Sequence, residues 1–279
     1  MNLEENLVKA SKVIKDADAL LITAGAGMGV DSGLPDFRGN EGFWKAYPPI
    51  AKLGISFVEM ANPSWFDTNP RLAWAFYGHR LNLYRRTIPH EGFSELLTLA
   101  ISKPEGYFIF TSNVDGHFQK AGFDDNRIEE CHGSIHHFQC KEPCSNEIWD
   151  ASEIMVHVNE ETFQALDPLP QCTKCGALAR PNILMFGDWT WIPDRMNKQA
   201  TNFSKWLEYI YQNQKLLAVI EIGAGEAVAT VRYHSENIAR MKNALLIRIN
   251  PRDYSVPAGN IAIPLNAKIG INQLYRLLN

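Results

Sequence analysis

The chain has 279 residues, of which 46% are hydrophobic, and this content supplies a full core and excludes a disordered protein. Its formal net charge is −4 and its basic residues form no block, so a nucleic-acid-binding surface is not expected. No apolar run reaches the length of a membrane span, and residues 1–10 lack the apolar core of a signal peptide. We therefore expect a soluble, cytoplasmic protein without a membrane partner.

Helical spacings and short apolar runs alternate along the chain. The predicted elements are, in order, a helix over 3–16, a strand at 19–23, short helices in the aromatic-rich residues 40–90, a helix over 91–101, a strand at 107–111, an amphipathic helix within 189–213, strands at 216–222 and 244–250, and a last strand and helix within 261–279. The first strand runs into a glycine-rich turn, as in doubly wound α/β proteins that bind dinucleotides. We therefore predict an α/β fold with a Rossmann-like parallel sheet.

The glycine-rich turn covers residues 24–39. Gly25, Gly27 and Gly33 alone are a weak signal, because an ordinary glycine-rich loop has the same composition. Asp36-Phe37-Arg38 strengthens the case, since an acid, an aromatic ring and a guanidinium stand together directly after the glycines. The turn therefore indicates a ligand site at the end of the first strand.

Polar residues follow the strand at 107–111. Asn113 and Asp115 could both face the crevice at the carboxyl end of the sheet, although an ordinary Asn/Asp turn is the alternative. His132, which precedes a glycine, is the candidate general base, because the pKa of an imidazole lies near neutral pH. His136 and His137 are weaker candidates that should lead into a metal module.

Four of the five cysteines stand in two close pairs, which are Cys140 with Cys144 and Cys172 with Cys175. This spacing predicts a tetrahedral Cys₄ zinc site of the ribbon type, and four thiolates leave the metal no open position for catalysis. Disulfides are the alternative, but a reducing compartment disfavours them. The remaining Cys131 is interpreted as a buried apolar residue rather than a nucleophile.

The glycine-rich turn closely resembles the start of the sirtuins, the NAD-dependent protein deacylases, whose pattern reads G-A-G-x-S-x-x-S-G-I-P-D-F-R-G. The cysteine pairs are a strong further match, and weaker matches are Asn113-Val114-Asp115, His132-Gly133, 180–188, 223–228 and Asn250. The resemblance implies that NAD is a consumed co-substrate, bound by Gly25, Ala26, Gly27, Ser32, Asp36, Phe37, Arg38, Ser112, Asn113, Asp115, Gly223, Ala224, Gly225 and Asn250. Departures at Gly29, Ser112 and 224–226 remove hydroxyl or amide groups that the family uses for NAD.

The same resemblance implies catalysis by His132 with Asn113 and Asp115, and release of nicotinamide, lysine and O-acyl-ADP-ribose. An acylated-lysine protein would then be the partner, held by Leu184, Phe186, Gly187 and Glu226. Tyr77 and Arg80 match the Tyr-x-x-Arg with which the desuccinylase and demalonylase subset binds an acyl carboxylate, whereas a core tyrosine beside a solvated arginine is the alternative.

The expected organisation is a Rossmann-like domain of residues 1–39, 91–135 and 180–279, with a helical insertion over 40–90 and a zinc-ribbon insertion over 136–179. Two other functions stay open on the same scaffold. The altered loop at 223–228 and Ser112 are compatible with an NAD hydrolase or ADP-ribosyltransferase, and the several departures in the cofactor loops are compatible with a non-catalytic NAD or ADP-ribose sensor.

Overall fold

The computed structural model describes residues 2–35 and 39–279. Its strands are β1 (Ala19–Ala24), β2 (Tyr107–Thr111), β3 (Ile128–Glu130), β4 (Gly133–Cys140), β5 (Ile148–Asp150), β6 (Val158–Asn159), β7 (Gln164–Ala165), β8 (Ala179–Ile183), β9 (Leu217–Ile222), β10 (Ala244–Ile249) and β11 (Ile261–Ile263). Its α-helices are α1 (Leu3–Asp16), α2 (Gly27–Val30), α3 (Gly39–Ala46), α4 (Pro48–Lys52), α5 (Phe57–Met60), α6 (Trp65–Thr68), α7 (Pro70–Arg86), α8 (Gly92–Ile101), α9 (His117–Lys120), α10 (Asp194–Gln212), α11 (Thr230–Ile238) and α12 (Ala267–Leu278). Within this part of the chain, no helix has both the length and the apolar character needed to cross a membrane.

Six strands form a parallel sheet in the order β11-β10-β9-β1-β2-β3. All residues of the central strands β1 and β9 are buried, as expected for parallel strands with helices on both faces. The predicted Rossmann-like sheet is therefore confirmed, with the predicted strands forming β1, β2, β9, β10 and β11. The edge strand β3 was not predicted, because its three residues include two glutamates.

Helices cover the two faces of this sheet. Successive side chains of a strand point to opposite faces, and β1 accordingly contributes Leu20 and Ile22 to one core and Leu21 to the other. Helices α1, α8 and α12 pack on the first face, and α10 and α11 pack on the second. The result is a three-layer α/β unit in which the carboxyl ends of all six parallel strands lie on the same side of the sheet.

A second hydrophobic core joins the helices of residues 39–86 to a small antiparallel sheet, β5-β4-β8. Aromatic rings dominate this core, and the Trp74 ring lies 5.0 Å from that of Phe138, centroid to centroid. The prediction of short helices is correct for α3 to α6, whereas α7 is longer, with 17 residues. Thus α7 packs against residues 136–179, the cysteine-bearing insertion that we call the metal-binding module, with the Trp74 indole and the Asn82 amide donating to the Ala179 and Val156 carbonyls.

The small sheet extends beyond the predicted insertion of residues 136–179 at both ends. β4 begins at Gly133, which pairs with Ile183 of β8, so residues 180–183 belong to this sheet rather than to the parallel one. The register shifts between Ser134 and Phe138. In this bulge the Ile135 N–H donates to the Val114 carbonyl at 3.0 Å, and the Ala151 N–H donates to the His136 carbonyl at 2.9 Å.

Candidate active site

A cavity of about 560 Å³ opens at the carboxyl ends of β1, β2 and β9. The chain leaves the sheet in opposite directions after β1 and β9, and such a switch point is where open α/β sheets bind ligands. The cavity is walled by the loops that follow these strands, by α7 and by residues 183–186. Its volume lies within the range of about 300–1,000 Å³ that is usual for small-molecule sites.

The glycines of the first loop are required by the close approach of two backbones. A Cβ atom on Gly27 would lie 2.7 Å from the Gly223 Cα, and one on Gly25 would lie 2.8 Å from the Ala224 Cα. The Gly25 N–H donates to the Ile222 carbonyl and the Gly27 N–H donates to the Gly223 carbonyl, both at 3.0 Å. These glycines therefore lock the loops after β1 and β9 together.

Most of the residues assigned to the cofactor face this cavity. Its lining includes Gly25, Ala26, Ser112, Asn113, Asp115, Gly223, Ala224 and Gly225. Gly27 instead lines a smaller adjoining cavity of about 70 Å³, which shares Gly223 with the larger one. Asp36, Phe37 and Arg38 lie outside the described residues.

Two of the assigned cofactor residues line neither cavity. Asn250 is fully buried, and its polar atoms are satisfied there: its amide donates to the Ala224 carbonyl at 2.9 Å and its Oδ1 accepts the N–H groups of Arg252 and Asp253. The Ser32 hydroxyl accepts the His90 N–H at 2.9 Å. Both side chains thus brace the loops around the cavity, and their contact with the cofactor stays a prediction.

His90 was missed by the sequence reasoning, although it fastens the glycine-rich loop to α8. Its Nδ1 accepts the Gly92 N–H at 3.1 Å, so the opposite nitrogen, Nε2, donates to the Met28 carbonyl at 3.0 Å. Burial lowers the pKa of His90, which favours this neutral form. Nothing in the local sequence distinguishes such a bridging histidine from a surface one.

Asn113 and Asp115 reach the cavity while being held by backbone contacts. The Asn113 amide donates to the Gly25 carbonyl at 2.9 Å and so joins the loops after β1 and β2. One carboxylate oxygen of Asp115 accepts the His117 N–H at 2.9 Å. Asp115 therefore makes the local side-chain-to-backbone bond of an ordinary turn, as in the alternative, and both Asn113 and Asp115 also line the cavity.

His132 is the histidine, among those in the described residues, that lines the cavity. Burial lowers its pKa, so the imidazole is neutral near neutral pH and can accept a proton. Gly133 follows with φ +79°, and a Cβ there would lie 2.1 Å from the Asn182 carbonyl oxygen. His136, the weaker candidate, instead has its Nε2 hydrogen-bonded to the Asp115 carbonyl at 2.8 Å.

Tyr77, Arg80 and Tyr84 form the part of the cavity wall that α7 provides. Arg80 is 7% exposed, and its Nε donates to the Tyr84 hydroxyl at 3.0 Å. No described residue hydrogen-bonds the buried hydroxyl of Tyr77. The solvated-arginine alternative is thus wrong for Arg80. The sequence reasoning missed Tyr84, although its position one helical turn after Arg80 was a usable signal.

Residues 184–187 form the opposite lip of the cavity. Leu184 and Phe186 line it and are each 38% exposed. The Leu184 N–H donates to the His132 carbonyl at 3.0 Å. A fully buried ion pair of Arg180 with Asp188 holds the base of this segment.

The other two residues assigned to the substrate, Gly187 and Glu226, do not line the cavity. Gly187 turns the chain with φ +67° at the end of the lip. The Glu226 carboxylate is 66% exposed and lies 3.7 Å from the Arg232 guanidinium. Their contact with a substrate therefore stays a prediction.

The four paired cysteines come together as predicted. Their sulfur atoms all lie within 4.8 Å of one another, and the Cys140–Cys175 and Cys144–Cys172 sulfurs are 3.7 Å apart. A tetrahedral zinc ion with Zn–S bonds of about 2.3 Å requires sulfurs about 3.8 Å apart, so the donor set fits zinc. None of the four lines the cavity, which assigns the metal a structural role. Cys131 is partly buried rather than buried, and the desolvation of its thiol raises the pKa, as expected of an unreactive cysteine.

Comparisons with known proteins agree with this geometry. The family model described as "Sir2 family" matches residues 25–211. The NAD-dependent protein deacylase of Aquifex aeolicus is 32% identical over 260 residues, which cover 93% of this chain and 95% of that protein. That of Leptospira interrogans is 30% identical over 248 residues, which cover 88% of this chain and 87% of the relative.

Two solved structures share the fold. A Sir2 homologue in complex with ADP-ribose superposes with a TM-score of 0.70 at 24% identity, covering 97% of this chain and 95% of that one. Sir2Tm bound to a propionylated peptide gives a TM-score of 0.65 at 18% identity, covering 99% and 98%. From its motifs, its fold and its relatives, the chain belongs to the Sir2 family of proteins, the sirtuins.

Proposed function

We propose that this sirtuin is an NAD-dependent protein-lysine deacylase that accepts acyl groups ending in a carboxylate. The reaction would transfer the acyl group from lysine to the ADP-ribose part of NAD and release nicotinamide. The relatives named as NAD-dependent protein deacylases support the general activity. The preference for acidic acyl groups is supported by the side chains of α7.

The residues present suit NAD. Backbone of Gly25, Ala26 and Gly225 lines the cavity beside the positive end of α11, which favours a pyrophosphate. A Cβ on Gly225 would meet only the Asp253 carboxylate, at 4.0 Å, so this glycine faces open space. Asn113 and Asp115 lie at the neighbouring strand end, where an amide and a carboxylate can hold the nicotinamide and its ribose. NAD would supply the ribose carbon that receives the acyl oxygen.

His132 supplies the base. Its neutral imidazole faces the same cavity as Asn113 and Asp115, so it can take a proton from a ribose hydroxyl bound there. The backbone bond from Leu184 to the His132 carbonyl ties the base to the lip that would hold the acyl-lysine. An extended peptide could add to this lip as a further strand, with Glu226 favouring basic neighbours of the lysine.

The observation that carries the acyl preference is the placement of Arg80 and Tyr77 in the wall of the cavity that contains His132. A guanidinium binds a carboxylate through two parallel hydrogen bonds, and a phenol hydroxyl can donate a third. The Tyr77 hydroxyl has no partner among the described residues, and burial raises its pKa to about 12, so it keeps its proton. An acidic acyl chain would satisfy this group.

The test is a set of acetyl-, malonyl- and succinyl-lysine peptides with NAD, assayed on the wild type and on Arg80→Met. We expect kcat/KM for the acidic acyl groups to fall by about 100-fold, because a charged hydrogen-bonding pair is lost, and that for acetyl-lysine to change by less than about threefold. Equal losses on all three peptides, or no wild-type activity on acidic acyl groups, would refute the preference.

The same assay separates the alternative activities. His132→Ala is the inactive control for a deacylase. Nicotinamide release that is equally fast without any acyl peptide would instead indicate an NAD hydrolase or ADP-ribosyltransferase. A wild type that binds NAD without consuming it would indicate a sensor.

A further inference from the structure

We infer that Tyr84 is a positioning residue for acidic acyl groups, because its hydroxyl fixes the plane of the Arg80 guanidinium in the cavity wall. This inference rests on the proposed deacylase function and concerns the same site. It adds a third member to the pair that the sequence motif contains.

The geometry places Tyr84 behind the charged group. Arg80 and Tyr84 are one turn apart on α7, and the Arg80 Nε donates to the Tyr84 hydroxyl at 3.0 Å. Since Nε lies at the root of the planar guanidinium, this bond restrains its rotation. The edge formed by the two terminal nitrogens is the one that matches the two oxygens of a carboxylate.

Aromatic rings hold the same group from other sides. The Arg80 Cζ lies 5.2 Å from the centroid of the Phe76 ring, 5.5 Å from that of Tyr84 and 5.9 Å from that of Tyr77. A charged group so enclosed by low-dielectric rings binds an opposite charge more strongly than one in water. Its orientation then decides whether the bidentate contact forms, and the bond from Nε to the Tyr84 hydroxyl contributes to that orientation.

The backbone around Tyr84 is fixed independently of this hydroxyl. The Asn82 amide donates to the Val156 carbonyl at 2.8 Å, and the Arg85 guanidinium donates to the Ile154 carbonyl at 2.7 Å. A Cβ on Gly78 would lie 2.3 Å from the Val156 Cγ1, which shows how closely α7 approaches the metal-binding module. Removal of one oxygen from Tyr84 should therefore leave the helix in place.

The test is Tyr84→Phe, which keeps the ring and removes only the hydroxyl. We expect KM for a succinyl-lysine peptide to rise about tenfold, with kcat and the acetyl-lysine KM changing by less than about twofold. In the Arg80→Met background, Tyr84→Phe should have no further effect on succinyl-lysine, because the group that it orients is absent.

Tyr107→Phe is the matched control. Tyr107 is 5% exposed, as is Tyr84, and its hydroxyl also accepts one hydrogen bond, from the Asp124 N–H, but it lies on β2 away from the cavity. A Tyr84→Phe enzyme that behaves as wild type on succinyl-lysine, or loses acetyl and succinyl activity alike, overturns the inference. If Arg80→Met also leaves succinyl turnover unchanged, both the proposed acyl preference and the inference on Tyr84 fail. If Arg80→Met abolishes succinyl turnover while Tyr84→Phe does not affect it, the acyl preference stands and only the role of Tyr84 is refuted.

Discussion

Gly27→Ala tests whether the two glycine-rich loops form the cofactor site by direct contact. The added Cβ would lie 2.7 Å from the Gly223 Cα and 2.9 Å from the Gly223 carbonyl oxygen, whereas ordinary contacts begin at 3.4 Å. The opposing atoms are backbone and cannot rotate away, so the loops must separate by about 0.7 Å. Such overpacking costs about 1–3 kcal/mol of unfolding free energy. A displacement approaching 1 Å at a reaction centre can lower the rate by about 100-fold.

The assay combines urea unfolding without NAD, NAD binding, and deacylation rates. We expect lower stability, weaker NAD binding and slower turnover together in Gly27→Ala. Gly225→Ala is the control for stability, because its Cβ would meet only the Asp253 carboxylate, at 4.0 Å. The reasoning is refuted if Gly27→Ala unfolds at the wild-type urea concentration, or if Gly225→Ala is destabilised as much.

Two further predictions concern the metal and the effect of pH. Removal of zinc by a chelator, or Cys172→Ser, should lower both the thermal unfolding temperature and the deacylation rate, because the cysteine-bearing module that contacts α7 loses its cross-link. Added zinc should restore the chelated enzyme, and the control variant Cys131→Ser should match the wild type. Full activity and stability in a preparation shown by metal analysis to be zinc-free would contradict this role. Burial lowers the pKa of His234 from 6.5 to about 4. Between these two values the unfolded chain binds a proton that the folded chain does not, so the free energy of unfolding should fall as the pH falls from 6.5 towards 4. His234→Phe, which preserves the stacking on Phe110 at 3.7 Å, should therefore make the free energy of unfolding less dependent on pH in that interval, and an unchanged dependence would show that His234 is not responsible.

The parts of the fold that depend on local pattern could be predicted from the sequence. The apolar runs at 19–23 and 216–222 form the central strands because parallel strands are buried on both faces. The cysteine pairs could be assigned as a metal site because thiolate spacing is itself a chemical constraint.

The direction of single side chains could not be predicted. Asn250 and Ser32 point into the protein because distant backbone groups, at Ala224 and His90, need hydrogen-bond partners. His90 was missed for the same reason, since its partner Met28 becomes a neighbour only through the tertiary fold. Tyr84 stands one helical turn after Arg80, but this spacing alone does not show that the two side chains bond each other. Strand β3 was missed because pairing with β2, rather than its own composition, makes it a strand.

The bulge in β4 has a consequence for how this protein can change over evolutionary time. Ile135 and His136 bond to Val114 and Ala151, so the same few residues contact the turn between Asn113 and Asp115 and the cysteine-bearing insertion. A mutation that lengthens or straightens the bulge would alter both neighbours at once. We therefore expect divergence within the insertion to accumulate beyond this point, while the bulge itself tolerates few changes of length.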